Sequence, residues 1–166
     1  PHTGILGLEK KQGGEDDGFA FTDYNVVTNA WHYAALKQME GIAGALGKQD
    51  DVAFYASESD AFKKRFIRSF FDVRKGYFTD GLAADTDHAS LHGNMFPLAF
   101  DLVPAGKKQN VVDFIQTRGM ACSVYGSQFL MDAIYEANDA EYALHMLTKT
   151  DDRSWYNMIR VGSTIS

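Results

Sequence analysis

The sequence predicts an all-α fold built from consecutive antiparallel helical hairpins, and three observations carry that reading. Apolar residues recur at helical spacing over long stretches, the two longest stretches are joined by only three residues, and no segment sustains the apolar/polar alternation of a strand. No glycine-rich phosphate loop follows a strand either. With 166 residues, 45% of them hydrophobic and 13% aromatic, the chain can bury a core and fits one domain.

The elements can be justified in order. Residues 1–21 hold no sustained period and are rich in glycine, so they read as a lead-in loop. Thr22 or Asp23 then caps a long helix striped by Val26, Ala30, Tyr33, Leu36, Met39, Ala43 and Leu46, with Gly47 ending it. Trp31, Ala34, Ala35 and Ile42 widen the stripe, which predicts cover on more than one side. Asp50 and Asp51 suit the positive end of a second helix, whose face carries Val52, Tyr55, Ser59, Phe62, Phe66 and Phe70 and whose end carries Arg68. A link this short turns the two helices into an αα-hairpin.

"RKGYFTDG" reads as an irregular or briefly extended connection. Pro97 lacks a donor and is tolerated only in a first turn, so the next helix is expected to start at Asn94, leaving residues 85–93 as a loop with two histidines. Val111, Val112, Phe114 and Ile115 mark a helix that stops at Gly119. Two more follow at about 126–137 and 140–148, with Asn138-Asp139 as stop and cap, and Ser154 caps a closing aromatic turn. Such hairpins suit a bundle, a solenoid or part of an α/α barrel, and they show no repeated residue pattern.

A net charge of -6 with scattered Lys and Arg excludes nucleic acid as the expected partner. The one basic cluster, "KKRFIR", lies opposite an apolar stripe and reads as a solvated helix face. Cys122 is alone, so it forms no internal disulfide and reads as a small buried hydrophobe. No apolar run approaches the roughly 20 residues of a membrane span, and the opening residues lack the order of a signal peptide. The compartment stays open.

His88 and His92 stand at the spacing of a shared metal on one helix face, and Asp85 and Asp87 could complete the ligands. Gly93 and Pro97 argue against a rigid helix there, so no metal and no cofactor is expected. A polar pocket rim formed by His88, His92 and Asn94 is preferred. Tyr125-Gly126-Ser127 reads either as a close backbone approach to a ligand or as N-capping by Ser127. Trp155 and Tyr156 offer an aromatic platform for a sugar ring, or plain core. No acid–base pair of carboxylates can be identified from spacing.

Taken in order, "TDHASLHGNMFPLAFDLVP", "YGSQFLMDAIYEANDAEYALHML" and "SWYNMIRVGSTIS", with "VVTNAWHYAALKQMEGIAGALGKQDD" upstream, resemble the later part of the catalytic domain of bacterial α-L-rhamnosidases. The likeness spans roughly residues 22–166. It implies a six-hairpin α/α barrel around a pocket for terminal L-rhamnose, in which one carboxylic acid protonates the leaving oxygen while an opposed carboxylate about 6.5–9.5 Å away activates water. In the family the acid lies in an acidic, arginine-rich stretch before the match to Val26. The base is a Glu a few residues beyond the match to Gly162-Ser163-Thr164. The resemblance therefore implies a partial barrel over residues 22–166, truncated before its catalytic base, with neither catalytic carboxylate in the chain. It leaves His88, His92, Asn94, Tyr125 and Trp155 as candidate sugar contacts. The implied partners are a rhamnose-containing glycan or glycoside, and the rest of the parent protein or a second copy against the exposed helix faces. The alternatives are another inverting enzyme of this barrel, glucoamylase-like or fucosidase-like, and a non-catalytic helical binding module.

Overall fold

The computed structural model describes residues 18–162. Most of the lead-in, and the end of the chain from residue 163 on which the expected truncation rests, lie outside the described residues.

The described residues form seven α-helices and one two-stranded sheet. Helix α1 (Val26–Ala45) and helix α2 (Gln49–Phe70) make the first hairpin and pack together over most of their length. Gly47 terminates α1 as expected. At φ 71° it lets its own N–H reach Gly44 O (3.1 Å) and Lys48 N–H reach Ala43 O (2.9 Å), covering the last carbonyls. The cap at the other end is Asn25 rather than Thr22 or Asp23: its side chain accepts from Thr28 N (2.9 Å). Thr22 is drawn away because its hydroxyl donates to Tyr24 O (2.9 Å).

Strands β1 (Phe71–Asp72) and β2 (Tyr77–Phe78) pair antiparallel, so the connection after α2 is briefly extended. Helix α3 (His92–Ala99) begins two residues before the expected Asn94 and contains Pro97 beyond its first turn. The helix survives this because Asn94 N–H and Met95 N–H both bond Leu91 O before the proline is reached, while Pro97 O still accepts from Leu102 N (2.8 Å). Helix α4 (Lys108–Arg118) stops at Gly119. Helix α5 (Val124–Glu136) starts earlier than expected and is capped by Ser123, not Ser127. Asn138, at φ 63°, and Asp139, which accepts from Tyr142 N (3.1 Å), separate it from helix α6 (Ala140–Thr148). Helix α7 (Trp155–Arg160) is capped by Ser154 through Asn157 N (3.0 Å).

The packing alternates. α1, α3 and α5 pack in one row, and α2, α4 and α6 each pack on the helix before them. Trp31 of α1, Phe96 of α3, Phe100 at its C-cap and Phe129 of α5 cluster within that row, with the Trp31 ring 5.0–5.5 Å from the other three. On the other side Phe66, Phe70, Phe71 and Phe78 close the core between α2 and the small sheet. Lys64, Arg65 and Arg68 are exposed while Phe66 is buried, so "KKRFIR" forms a solvated face. Cys122, expected to be buried, is partly buried and packs against the core just before α5.

Candidate functional site

The N-terminal ends of α1, α3 and α5 lie side by side, a Cβ at Gly93 meeting Val26 and one at Gly126 meeting Met95, and Trp155 at the start of α7 shares a cleft with Ser123 and Ser127 at the start of α5. The knot that ties the segments before α1 and α3 is Asp80, the only charged side chain among the described residues that is fully buried. Its Oδ1 accepts from Ser90 N (2.9 Å) and Ser90 Oγ (2.7 Å). Its Oδ2 accepts from Ala20 N (2.9 Å) and bonds His88 Nδ1 (2.7 Å). The Asp80 backbone joins in as well, its N–H donating to His88 O (2.9 Å) and its carbonyl accepting from Val26 N–H (3.0 Å), the first residue of α1. Ser90 Oγ in turn accepts from Gly93 N (3.1 Å) in the first turn of α3. A buried carboxylate is tolerable only when hydrogen-bonded throughout, and four donors meet that condition here.

Gly93 is required by this arrangement. A Cβ at that position would stand 2.6 Å from Asp80 Oδ1 and 3.2 Å from Val26 Cγ1, so α1, α3 and the carboxylate can approach this closely only past a glycine.

His88 is therefore a positioned residue on a loop. Its N–H donates to Thr86 Oγ1 (3.1 Å), its carbonyl and Nδ1 are held by Asp80, and its side chain is 49% exposed. It lines a cleft of about 610 Å³ with Asp87, Ser90, Thr117 and Arg118. Arg118 is steered into that wall by a bond to Ala89 O (3.2 Å) and by its guanidinium lying 4.7 Å from the Phe114 ring centroid. Across the α4–α5 loop, Trp155 lines a second cleft of about 190 Å³ with Met120, Cys122, Ser123, Ser127 and Asp152. The segment 120–122 thus forms part of both walls.

The other expected residues fall differently. His92 is the first residue of α3 and packs among Phe19 (6.5 Å) and Phe96 (6.2 Å). Because the helix begins there, His88 and His92 do not share a helix face. No group of three or more His, Cys, Asp or Glu placed to hold a metal occurs among the described residues. Asn94 is fully buried, accepting from Phe78 N (2.9 Å) and donating to Phe78 O (3.1 Å) and Ser90 O (3.0 Å), so it fastens β2 to α3. Tyr125 is 84% exposed in the first turn of α5. Asp80, Ser90 and Arg118 escaped sequence reasoning. The only signal was the "TDG" turn, and nothing local marks its aspartate as buried.

The family model for the bacterial alpha-L-rhamnosidase 6 hairpin glycosidase domain matches residues 8–166 of this chain. No curated protein matches it.

Proposed function

Because the chain belongs to the bacterial α-L-rhamnosidase six-hairpin glycosidase family, we propose that it supplies part of the sugar-pocket wall of an enzyme that hydrolyses terminal α-L-rhamnosides with inversion. One observation supports the reading: the loop before α3, the end of α4 and the starts of α5 and α7 line two adjoining clefts that share the segment 120–122. In this reading His88 and Arg118 supply polar groups to hydroxyls and Trp155 offers an aromatic face to the apolar side of a pyranose. His92, packed between Phe19 and Phe96, and Tyr125, on the exposed face of α5, line neither cleft, and Asn94 acts by holding β2 and α3 in place. The acid–base pair is contributed from outside the described residues. Asp80 has its oxygens engaged by four donors, and the cleft-lining Asp87 and Asp152 are exposed carboxylates on different clefts, not opposed across one.

The test is an aryl α-L-rhamnoside assay on this chain alone and on an enzyme that holds it within a complete six-hairpin domain. The expected result is turnover by the complete enzyme only, with kcat/KM lowered in His88→Gln and Trp155→Ala variants that remain folded by circular dichroism. Turnover by the isolated chain that vanishes in Asp87→Asn or Asp152→Asn would overturn the proposal. Activity of the complete enzyme on aryl fucosides or glucosides but not rhamnosides would transfer it to another sugar.

A further inference from the structure

We infer that Asp80 is a positioning residue that fixes the proton of His88 on Nδ1 and so presents Nε2 to the cleft as a hydrogen-bond acceptor for a ligand hydroxyl. The ligand part of this inference rests on the sugar-pocket reading above; the proton placement does not.

The chemistry follows from the donor count. A carboxylate only accepts, so the 2.7 Å contact between Asp80 Oδ2 and His88 Nδ1 requires the hydrogen to sit on that nitrogen. In the neutral ring the other nitrogen then carries a lone pair. The ring cannot escape by rotating the backbone, because His88 N–H is spent on Thr86 Oγ1 and His88 O on Asp80 N–H. Nor can the carboxylate turn away, because Ser90 holds its other oxygen twice and Ala20 N–H holds the same one. His88 therefore faces the cleft as an acceptor, and the guanidinium donor of Arg118 lines the same cleft. An acceptor and a donor in one cleft suit the hydroxyls of a neutral sugar, one donating to Nε2 and another accepting from the guanidinium.

The test is the ring ¹⁵N spectrum of His88 in this chain above the pH of imidazole protonation, where a protonated and an unprotonated ring nitrogen are read directly. The wild type is expected to show Nδ1 protonated and Nε2 bare. Asp80→Asn keeps the shape but replaces one oxygen by an NH₂ that meets a backbone donor on either side, Ala20 N–H or Ser90 N–H, so the fixed acceptor is lost and the ring should shift toward protonation on Nε2. Ser90→Ala removes a bond to the other carboxylate oxygen and should leave the pattern unchanged although the fold is weakened, which separates positioning from general stability. Addition of L-rhamnose should shift Nε2 in the wild type and not in Asp80→Asn. In the complete enzyme both Asp80→Asn and His88→Gln should raise KM by about tenfold, the effect of roughly one hydrogen bond. A wild-type ring protonated on Nε2, needing no variant to fold, would overturn the inference. The expected pattern with no response to rhamnose would support the placement of the proton and count against the sugar-pocket reading instead.

Discussion

Gly93→Ala sets two physical effects against each other at one atom. In the first turn of α3, replacing glycine by alanine gains at most about 1 kcal/mol of helix propensity. The new methyl group would meet Asp80 Oδ1 at 2.6 Å, Val26 Cγ1 at 3.2 Å and Ser90 Oγ at 3.4 Å. None of these can yield cheaply: the carboxylate is held by four donors, and Val26 is fully buried at the start of α1. Overpacking typically costs about 1–3 kcal/mol, and displacing the carboxylate weakens hydrogen bonds to a charged group worth about 1.5–3 kcal/mol each. The expected balance is a net loss of about 2–3 kcal/mol, which for a chain of this length lowers Tm by about 4–12 °C. Thermal and urea unfolding followed by far-ultraviolet circular dichroism read it directly. Gly41→Ala is the control, since that glycine is exposed within α1 and a Cβ there meets nothing within 4 Å, so it should gain about 0.5–1 kcal/mol. A Gly93→Ala protein as stable as its parent would refute the reasoning.

Three further outcomes are expected. Asn94→Ala should cost about 2–4 kcal/mol, because it leaves a buried Phe78 N–H without its acceptor; a variant that melts like the parent but loses activity in the complete enzyme would make Asn94 a ligand contact instead. Burial pushes the Asp101 carboxyl up, but Lys63 and Lys108 together outweigh it and hold it below its ordinary value. A lowered folded pKa gives stability that is complete above the unfolded value of about 3.9 and is lost as pH falls through the folded one. Lys63→Met should therefore raise the Asp101 midpoint in a ¹³C carboxyl titration and narrow stability on the acid side alone, and an unmoved midpoint would show the ion pair to be idle. Trp31→Ala should destabilise by about 2–3 kcal/mol, below a fully buried aromatic because the ring is 40% exposed, and unchanged urea midpoints would mean the cluster with Phe96, Phe100 and Phe129 contributes nothing.

Elements governed by near neighbours were legible in the sequence. Gly47, Gly119 and Asn138-Asp139 punctuate helices through their own backbone preferences, and the Phe62-Phe66-Phe70 stripe needs only helical spacing to be seen. The misplaced boundaries have distant causes or near rivals. α3 starts early because Ser90, fixed by Asp80 ten residues away, receives the Gly93 amide, and the caps at Asn25 and Ser123 each had a competing polar residue within four positions. Of the residues that line the two clefts, His88 and Trp155 were legible as candidates because their side chains have chemistry worth placing at a rim. Asp80 was not, because what distinguishes it from any turn aspartate is donors supplied by residues 20, 88 and 90.

The bond from Ala20 N–H to Asp80 spans 60 residues, whereas the α1–α2 hairpin is closed by a connection of three. Closing the longer loop costs about 2.7 kcal/mol more in chain entropy, on the logarithmic dependence of loop closure on length. The hairpins can thus form from local contacts, while the rim that joins them must wait for the chain to bring its far parts together. Opening runs the same course in reverse. The amides of Ala20 and Ser90 should exchange with solvent through a partial opening that leaves α1 and α2 protected. A bound ligand that bridges the rim would slow that exchange selectively, so occupancy of the cleft can be read from the kinetics of two backbone protons.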